Sequence, residues 1–395
     1  MARKAAGGTG NIRKKTVKRN GKEYTFWEAR YTAGYDPGTG KQIQRSISGK
    51  TQKEVARKLK EATAAIDSGT YSAPCRMTLS QWMEIWSAEY LGGVKPRTAE
   101  SYRGISRNHI IPCLGAVRLD ALLPHQIQTF YNRLLEPEDD RKPVSAKTIK
   151  NIHGVLHKAL LQAVANGYLK FNPVDACTIP RVVKKEITPL DEQQISAFLS
   201  HIKGHPMEAL FTVTLFTGLR QGEALGLCWD CVDLKKGTIL VCRQLQKVVD
   251  VKGAYQLLST KNGRSRKITL APFVTSVLKR VRREQLENRL RYADCYTDSG
   301  FVFTDPLGNH LTPKRVYDAF KKAAAAIGCP NARYHDLRHS YAVAAIRSGD
   351  DIKTVQENLG HATAAFTLDI YGHVTDQMKQ ESAERMERFI RSVNQ

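Results

Sequence analysis

The sequence predicts a multidomain protein, mainly α with α+β parts. It comprises an N-terminal three-stranded sheet with one helix, a helical middle domain, and a mixed, mainly helical C-terminal domain. Three observations carry this. The chain of 395 residues exceeds what one compact core organises and suits two or three domains. Alternation of period two is confined to residues 11–48 and to an island near 238–270, with helical spacing dominating elsewhere. A basic, proline-containing stretch over 172–188 has no sustained periodicity and reads as a linker.

The first domain is expected over residues 1–72. Strands over 11–19 and 22–31 flank Asn20-Gly21, residues that accept the positive φ values of a tight hairpin turn. Trp27, Ala29 and Tyr31 alternate with Phe26, Glu28 and Arg30, and a third strand over 42–48 follows Asp36-Pro37-Gly38. Thr51 stands three residues before Glu54, the pattern of a capping box. Val55, Leu59, Ala62 and Ile66 then recur at helical spacing, so the helix covers one sheet face and leaves the other open. These 72 residues hold sixteen Lys/Arg against six Asp/Glu. An open basic sheet face suits a DNA groove; the alternative is a solvated charged surface.

The second domain is expected over 76–171. Leu79, Trp82, Met83, Trp86 and Tyr90 form one helical stripe, and Ile149, Ile152, Leu156, Ala159, Leu160 and Ala163 form another. Aromatic stripes at this spacing are core, so Trp82 and Trp86 are assigned to packing rather than base stacking. The third domain is expected over 189–395. One helix starts at Asp191 or a neighbour and an apolar one spans 207–217. Strands over 238–244 and 266–270 surround a turn carrying Lys261-Asn262-Gly263, and helices resume near Pro272. Past residue 376, Met378, Arg385, Met386, Phe389, Ile390 and Val393 predict a tail helix whose apolar face needs a surface to cover, in its own domain or on a neighbouring molecule.

A hydrophobic content of 42% with 25% charged residues excludes wholesale disorder. The net charge of +23 attracts polyanions and makes nucleic acid the leading partner. Residues 1–10 lack the apolar core of a secretory signal and no apolar run approaches bilayer-spanning length, so a cytoplasmic protein is expected. Eight cysteines without a disulfide-framework spacing fit a reducing compartment.

Four short motifs stand in order: Thr217-Gly218-Leu219-Arg220-Gln221-Gly222-Glu223, Thr260-Lys261, His335-Asp336-Leu337-Arg338-His339, and Leu359-Gly360-His361 followed by Tyr371. Each alone is weak, since an isolated arginine is usually an ion-pair residue and an isolated histidine a satisfied one. Their chemistry fits phosphodiester transfer. In-line attack puts extra negative charge on the non-bridging oxygens, which something cationic must meet. Arginine forks bind phosphate oxygens in bidentate fashion without metal, and the chain shows no convincing carboxylate cluster for one, so no cofactor is expected. Arg220 and Arg338 are the candidates. His335 and Arg338 lie three apart on an expected helix and share a face. Gly360 permits close backbone approach before His361.

Together, in this order and spacing, the motifs resemble the tyrosine recombinase (integrase) family across the C-terminal half. The N-terminal half resembles, in layout, integrases of conjugative transposons and temperate phages, with an arm-binding domain before a helical core-binding domain. The resemblance implies that Tyr371 is the nucleophile, forming a 3′-phosphotyrosyl link whose bond energy allows rejoining without ATP. It implies that Lys261 protonates the leaving 5′-oxygen, although Lys252 and Lys267 lie in the same hairpin region and could fill the role. It places His335 as general base or phosphate-orienting group, and His361 as an oxygen-binding one. Glu223 and Asp336 read as supports of the arginine-bearing helices.

The partners implied are double-stranded DNA at core and arm sites, a homo-tetramer on that DNA, an excision factor and a host DNA-bending protein. The tail is implied to pack on a neighbouring protomer. Alternatives are a type IB topoisomerase, a catalytically silent DNA-binding regulator and a metal-dependent nuclease.

Three patterns are set aside. Cys228-Trp229-Asp230-Cys231 has no second pair at zinc spacing, with Cys242 alone, and reads as packing. His335 and His339 have Asp336 where a zinc helix carries Glu, and Arg338 would repel a cation. Gly7-Gly8-Thr9-Gly10 lacks the phosphate-loop lysine.

Overall fold

The structure is a computed structural model that describes residues 11–19, 22–35, 39–67, 76–137, 142–183, 188–248, 251, 253–260, 263–361, 363 and 375–394, with side chains in the last segment from 383. The chain divides into two compact units, Met1–Val183 and Lys184–Gln395.

In the first unit, β1 (Ile12–Arg19), β2 (Lys22–Tyr35) and β3 (Gln42–Gly49) form an antiparallel sheet in that order. β2 runs past the expected end at 31, and its register slips between Thr32 and Gly34. Ala29 pairs with Ile12 on one side and Ile47 on the other, which gathers apolar side chains on one face. Helix α1 (Gln52–Asp67) closes that face by burying Val55 and Leu59 with Ala29 and Tyr31. The capping pattern forms only in part: Thr51 Oγ1 accepts from the Glu54 amide at 3.2 Å, while the Glu54 carboxylate accepts from the amide of Lys50 at 3.0 Å. On the opposite face Glu28, 7% exposed, takes hydrogen bonds from Arg13 at 2.8 Å and Lys15 at 3.2 Å. Those two bonds hold its carboxyl below the ordinary range.

The same unit contains α2 (Leu79–Glu89), α3 (Pro96–Ile105), a π turn (Ser106–Ile110) leading into α4 (Ile111–Leu114), α5 (Pro124–Leu135) and α6 (Ala146–Ala165). Local signals set the starts. Thr78 and Gln81 make a reciprocal capping box, Pro96 and Pro124 occupy first turns, and Ser145 caps α6. Trp82 is fully buried and its indole N–H donates to Ala159 O at 2.8 Å, as a core assignment requires. Tyr90, expected on the same stripe, is 40% exposed. The first residues of the expected linker pack instead as a 3-10 turn (Pro173–Ala176) with Val174 fully buried.

The second unit holds α7 (Glu192–His201), α8 (Glu208–Thr217), α9 (Gln221–Leu225), α10 (Pro272–Tyr292), α11 (Pro313–Ala326), α12 (Tyr334–Arg347), α13 (Ile352–Leu359) and α14 (Thr375–Val393). The strand expected over 238–244 breaks at Cys242, because its halves join different sheets. β4 (Val232–Asp233), β5 (Thr238–Val241) and β8 (Arg266–Thr269) form one, and β6 (Arg243–Lys247) pairs with β7 (Tyr255–Ser259) in another. The stretch carrying Lys261 therefore joins β7 to β8.

Helix α8 is largely apolar and mostly buried, with Phe216 left exposed. Phe211 on α8 packs with Phe198, Phe320 and Tyr334, whose hydroxyl hydrogen-bonds Thr214 at 2.7 Å and ties α12 to α8. On α14, Met386, Phe389, Ile390 and Val393 are exposed. Among the described residues no helix is long and apolar enough to cross a membrane.

Candidate active site

The site is built from the ends of helices. Helix α8 stops at Gly218, which adopts a left-handed φ of +64°. A β-carbon there would lie 2.5 Å from the Tyr341 ring. Two residues later Arg220 caps α9, and its amide donates to Glu223 Oε2 at 3.0 Å. Helix α13 stops in the same way at Gly360, φ +62°, where a β-carbon would stand 3.1 Å from Arg266. The close neighbour at this glycine is thus an arginine of the protein. His361 follows, with its amide donating to Gln356 O at 3.1 Å and its carbonyl accepting from Gln356 Nε2 at 2.8 Å.

Arg338 projects from α12 into the gap between these two helix ends. Its side chain is almost fully buried, with Nη1 donating to Gly218 O at 2.7 Å and Nη2 to Leu359 O at 2.5 Å. Arg220 donates from Nη1 to Glu223 Oε1 at 2.7 Å and from Nη2 to Gly360 O at 3.4 Å. Arg220, Arg338 and His361 are therefore gathered around one pair of turns.

Glu223 is the hub of this arrangement, and it is 2% exposed. Arg266 meets it with two prongs, Nη1 to Oε1 at 3.0 Å and Nη2 to Oε2 at 2.6 Å, and donates from Nε to Asn358 O at 2.7 Å. Burial alone would raise the Glu223 carboxyl, but the bonds and charge of Arg266, with Arg220 adding to them, hold it at about 2. Asp336 braces α12, the helix that carries Arg338, at its start: it accepts from the amide of Arg333 at 2.8 Å and from its guanidinium at 2.9 Å.

Three histidines crowd the arginines. Packing of the site pushes His335 down to about 4, with Arg338 and Arg220 adding repulsion, while the residue as a whole keeps exposed surface. Burial and the neighbouring His335 bring His339 to about 4. Burial, Arg338 and Arg220 bring His361 to about 3. All three are neutral imidazoles at neutral pH, each with one nitrogen able to accept a proton. The His335 and His339 rings meet edge to face with centroids 4.8 Å apart, so the pair set aside as a zinc pattern makes a T-shaped ring contact. Among the described residues no cluster of His, Cys, Asp and Glu could hold a metal ion.

Lys261 and Tyr371 lie outside the described residues, as does Lys252. Lys267 is exposed and stands next to Arg266 on β8, so strand alternation directs it to the opposite face from the site. Sequence reasoning missed Arg266. A signal was available, since Ile268 and Leu270 are buried at alternate positions and the same phase points Arg266 inward. Two guanidiniums, of Arg220 and Arg266, meet the one Glu223 carboxylate and a third, of Arg338, is held on backbone carbonyls beside them, which leaves a positive excess able to receive the non-bridging oxygens of a phosphate.

Residues 188–378 match the phage integrase family, and residues 78–135 match the phage integrase N-terminal SAM-like domain. A tyrosine recombinase XerC-like protein of Caldanaerobacter subterraneus subsp. tengcongensis is 33% identical over 93% of this chain and 97% of its own. The fold matches the Tn1549 transposon integrase in complex with transposon right end DNA, with a TM-score of 0.66 at 23% identity over 79% of this chain and all of that one. It also matches a lambda integrase tetramer bound to a Holliday junction, with a TM-score of 0.58 at 17% identity over 87% of this chain and 92% of that one.

Proposed function

The chain belongs to the phage integrase family, and on that premise we infer that it is a site-specific DNA recombinase that integrates and excises a mobile element. The observation that carries the mechanism is the joint anchoring of Arg220 and Arg338 on the turns that end α8 and α13. Two forks held on rigid backbone can meet one phosphate without reorganising as charge develops.

Tyr371 attacks the phosphorus through its phenolic oxygen, and the neutral His335 takes or orients the proton. The bond from phosphorus to the 5′-oxygen breaks, and Lys261 supplies that oxygen with its proton. A 5′-hydroxyl from a second duplex then reverses the step, so no ATP is consumed. His361, held neutral, offers a hydrogen bond to a non-bridging oxygen without adding charge. Arg266 and Glu223 hold Arg220 in place.

Strand exchange joins two duplexes and cleaves four strands, so the active assembly is a homo-tetramer on double-stranded DNA. Residues 1–72 bind arm sites, 76–171 grip the core site, 172–188 connect, and 189–395 carry the chemistry. The protein acts in the cytoplasm, and an excision factor and a host DNA-bending protein set direction.

Mixed with its core site, the protein should form a denaturant-resistant DNA adduct that Tyr371→Phe abolishes while binding persists. An adduct in the Phe variant would move the nucleophile elsewhere. Joining between two separate duplexes distinguishes a recombinase from a topoisomerase.

A further inference from the structure

The cysteines set aside as packing meet in space. Cys231 Sγ and Cys242 Sγ lie 3.4 Å apart, although eleven positions separate them in sequence. The reading of Cys242 as standing alone is thereby corrected, and the reason is the strand break: Cys242 sits between β5 and β6, while Cys231 ends the turn that enters β4, the partner of β5. Both side chains are partly exposed, so a small oxidant reaches them. Arg243 donates to Cys231 Sγ at 3.1 Å and is paired with Asp230, which fixes the sulfur in place.

We propose that Cys231 and Cys242 are a disulfide-forming pair, a covalent modification site in the catalytic unit that hydroperoxide oxidises. One thiol reduces the peroxide to water and becomes a sulfenic acid. The second thiol's sulfur attacks it; the S–S bond forms, the S–O bond breaks, and hydroxide leaves with the thiol proton as water. Two thiols lose two electrons in all, and a thiol reductant restores them. The sulfurs need to close from 3.4 Å to about 2.05 Å. Burial pushes the Cys231 thiol up to about 11, which keeps it protonated at neutral pH and makes the pair slow to oxidise rather than a rapid sensor. Once formed, the bond ties the β4–β5 sheet to the start of β6. That strand lies against α9, where a β-carbon at Gly226 would stand 2.6 Å from the Leu245 amide.

The experiment treats the full chain with excess hydrogen peroxide, blocks remaining thiols, and maps tryptic peptides. Cleavage after Lys235 and Lys236 separates Cys242 from Cys231. A linked pair containing Cys242 should appear, survive Cys228→Ala, vanish in Cys231→Ala, and disappear on dithiothreitol treatment. Oxidised protein should melt several degrees higher in a reductant-reversible way, because the cross-link restricts the unfolded chain. Free thiols at 231 and 242 while the exposed Cys113 and Cys295 are oxidised would overturn the proposal. A link from Cys242 to Cys228 would overturn it equally.

Discussion

Arg266 and Glu223 face each other as a two-pronged ion pair, with nitrogen–oxygen distances of 3.0 and 2.6 Å, beneath the arginine assigned to the phosphate. Removing Arg266 would leave a buried carboxylate with only Arg220 to satisfy it, and a broken buried pair costs about 3–5 kcal/mol. Arg266→Ala should lower the melting temperature and redirect Arg220 toward Glu223, cutting cleavage at least tenfold. Arg266→Lys should recover much of the stability and less of the rate, since one ammonium cannot span both oxygens. Equal recovery of both would show that charge alone matters.

Arg220→Ala removes one of the two phosphate forks. Cleavage of a core site should fall by about 10²-fold or more with DNA binding largely kept, as for a group acting mainly in the transition state. Chelation by EDTA should leave the wild-type rate unchanged. Loss of cleavage on chelation would replace the proposed mechanism with a metal-dependent one.

The neutral histidines give stability a pH dependence of definite sign. His339 and His361 titrate in the folded protein near 4 and 3, below the ordinary 6.5 that applies once unfolded. Between those values the unfolded chain binds more protons, so stability rises with pH across the window. Denaturant midpoints should hold from pH 8 to 7 and decline steadily from 6.5 toward 4. His339→Gln should flatten that decline, and an unchanged slope would mean that the ring titrates normally. Glu223 adds its own loss as pH falls from the ordinary 4.5 of the unfolded chain through its folded value of about 2.

Deleting residues 1–72 should weaken binding to arm sites and flatten the salt dependence of total affinity, since each phosphate contact contributes a slope of about −0.9 in log–log form. Cleavage of an isolated core site should survive. The pairing of Glu28 with Arg13 and Lys15 sharpens the expectation, because two of the sheet's cations are partly neutralised before DNA arrives. Glu28→Gln should accordingly steepen the slope. A truncated protein unable to cut the core site would refute the division of labour.

The exposed apolar residues of α14 should act between protomers. Removing residues after 376 is expected to leave single-protomer binding intact while weakening cooperative filling of paired sites. A lower melting temperature with unchanged cooperativity would assign the helix to its own domain's core. The side chain of Met378, expected on the same stripe, lies outside the described residues.

Elements with one dominant local signal were legible in the sequence. The pairing of the first two strands over 12–31, the cap at Asp191 and the buried stripe of α6 follow from turn chemistry and period alone. The break at Cys242 was not, because β5 and β6 carry a continuous β pattern and only their sheet partners differ. In the site, Arg220, Arg338 and His361 were legible as motif members, but the motifs hold no trace of the carbonyls that anchor them. Those contacts join residues 120 and 21 positions apart and arise only from packing. Arg266 escaped because an inward arginine is normally read as a surface residue until its carboxylate is located.

Both guanidinium anchors depend on residues that contribute no side chain at all. Gly218 and Gly360 each hold a left-handed turn whose carbonyls receive an arginine, and a one-base change in the first or second position of either codon adds a β-carbon there. The backbone penalty alone is about 1–2 kcal/mol, and at Gly218 the new atom would collide with the Tyr341 ring. A decaying copy of this gene can therefore fall silent with every arginine, histidine, lysine and tyrosine codon still intact. Inspecting those codons would count such a fossil as a working element.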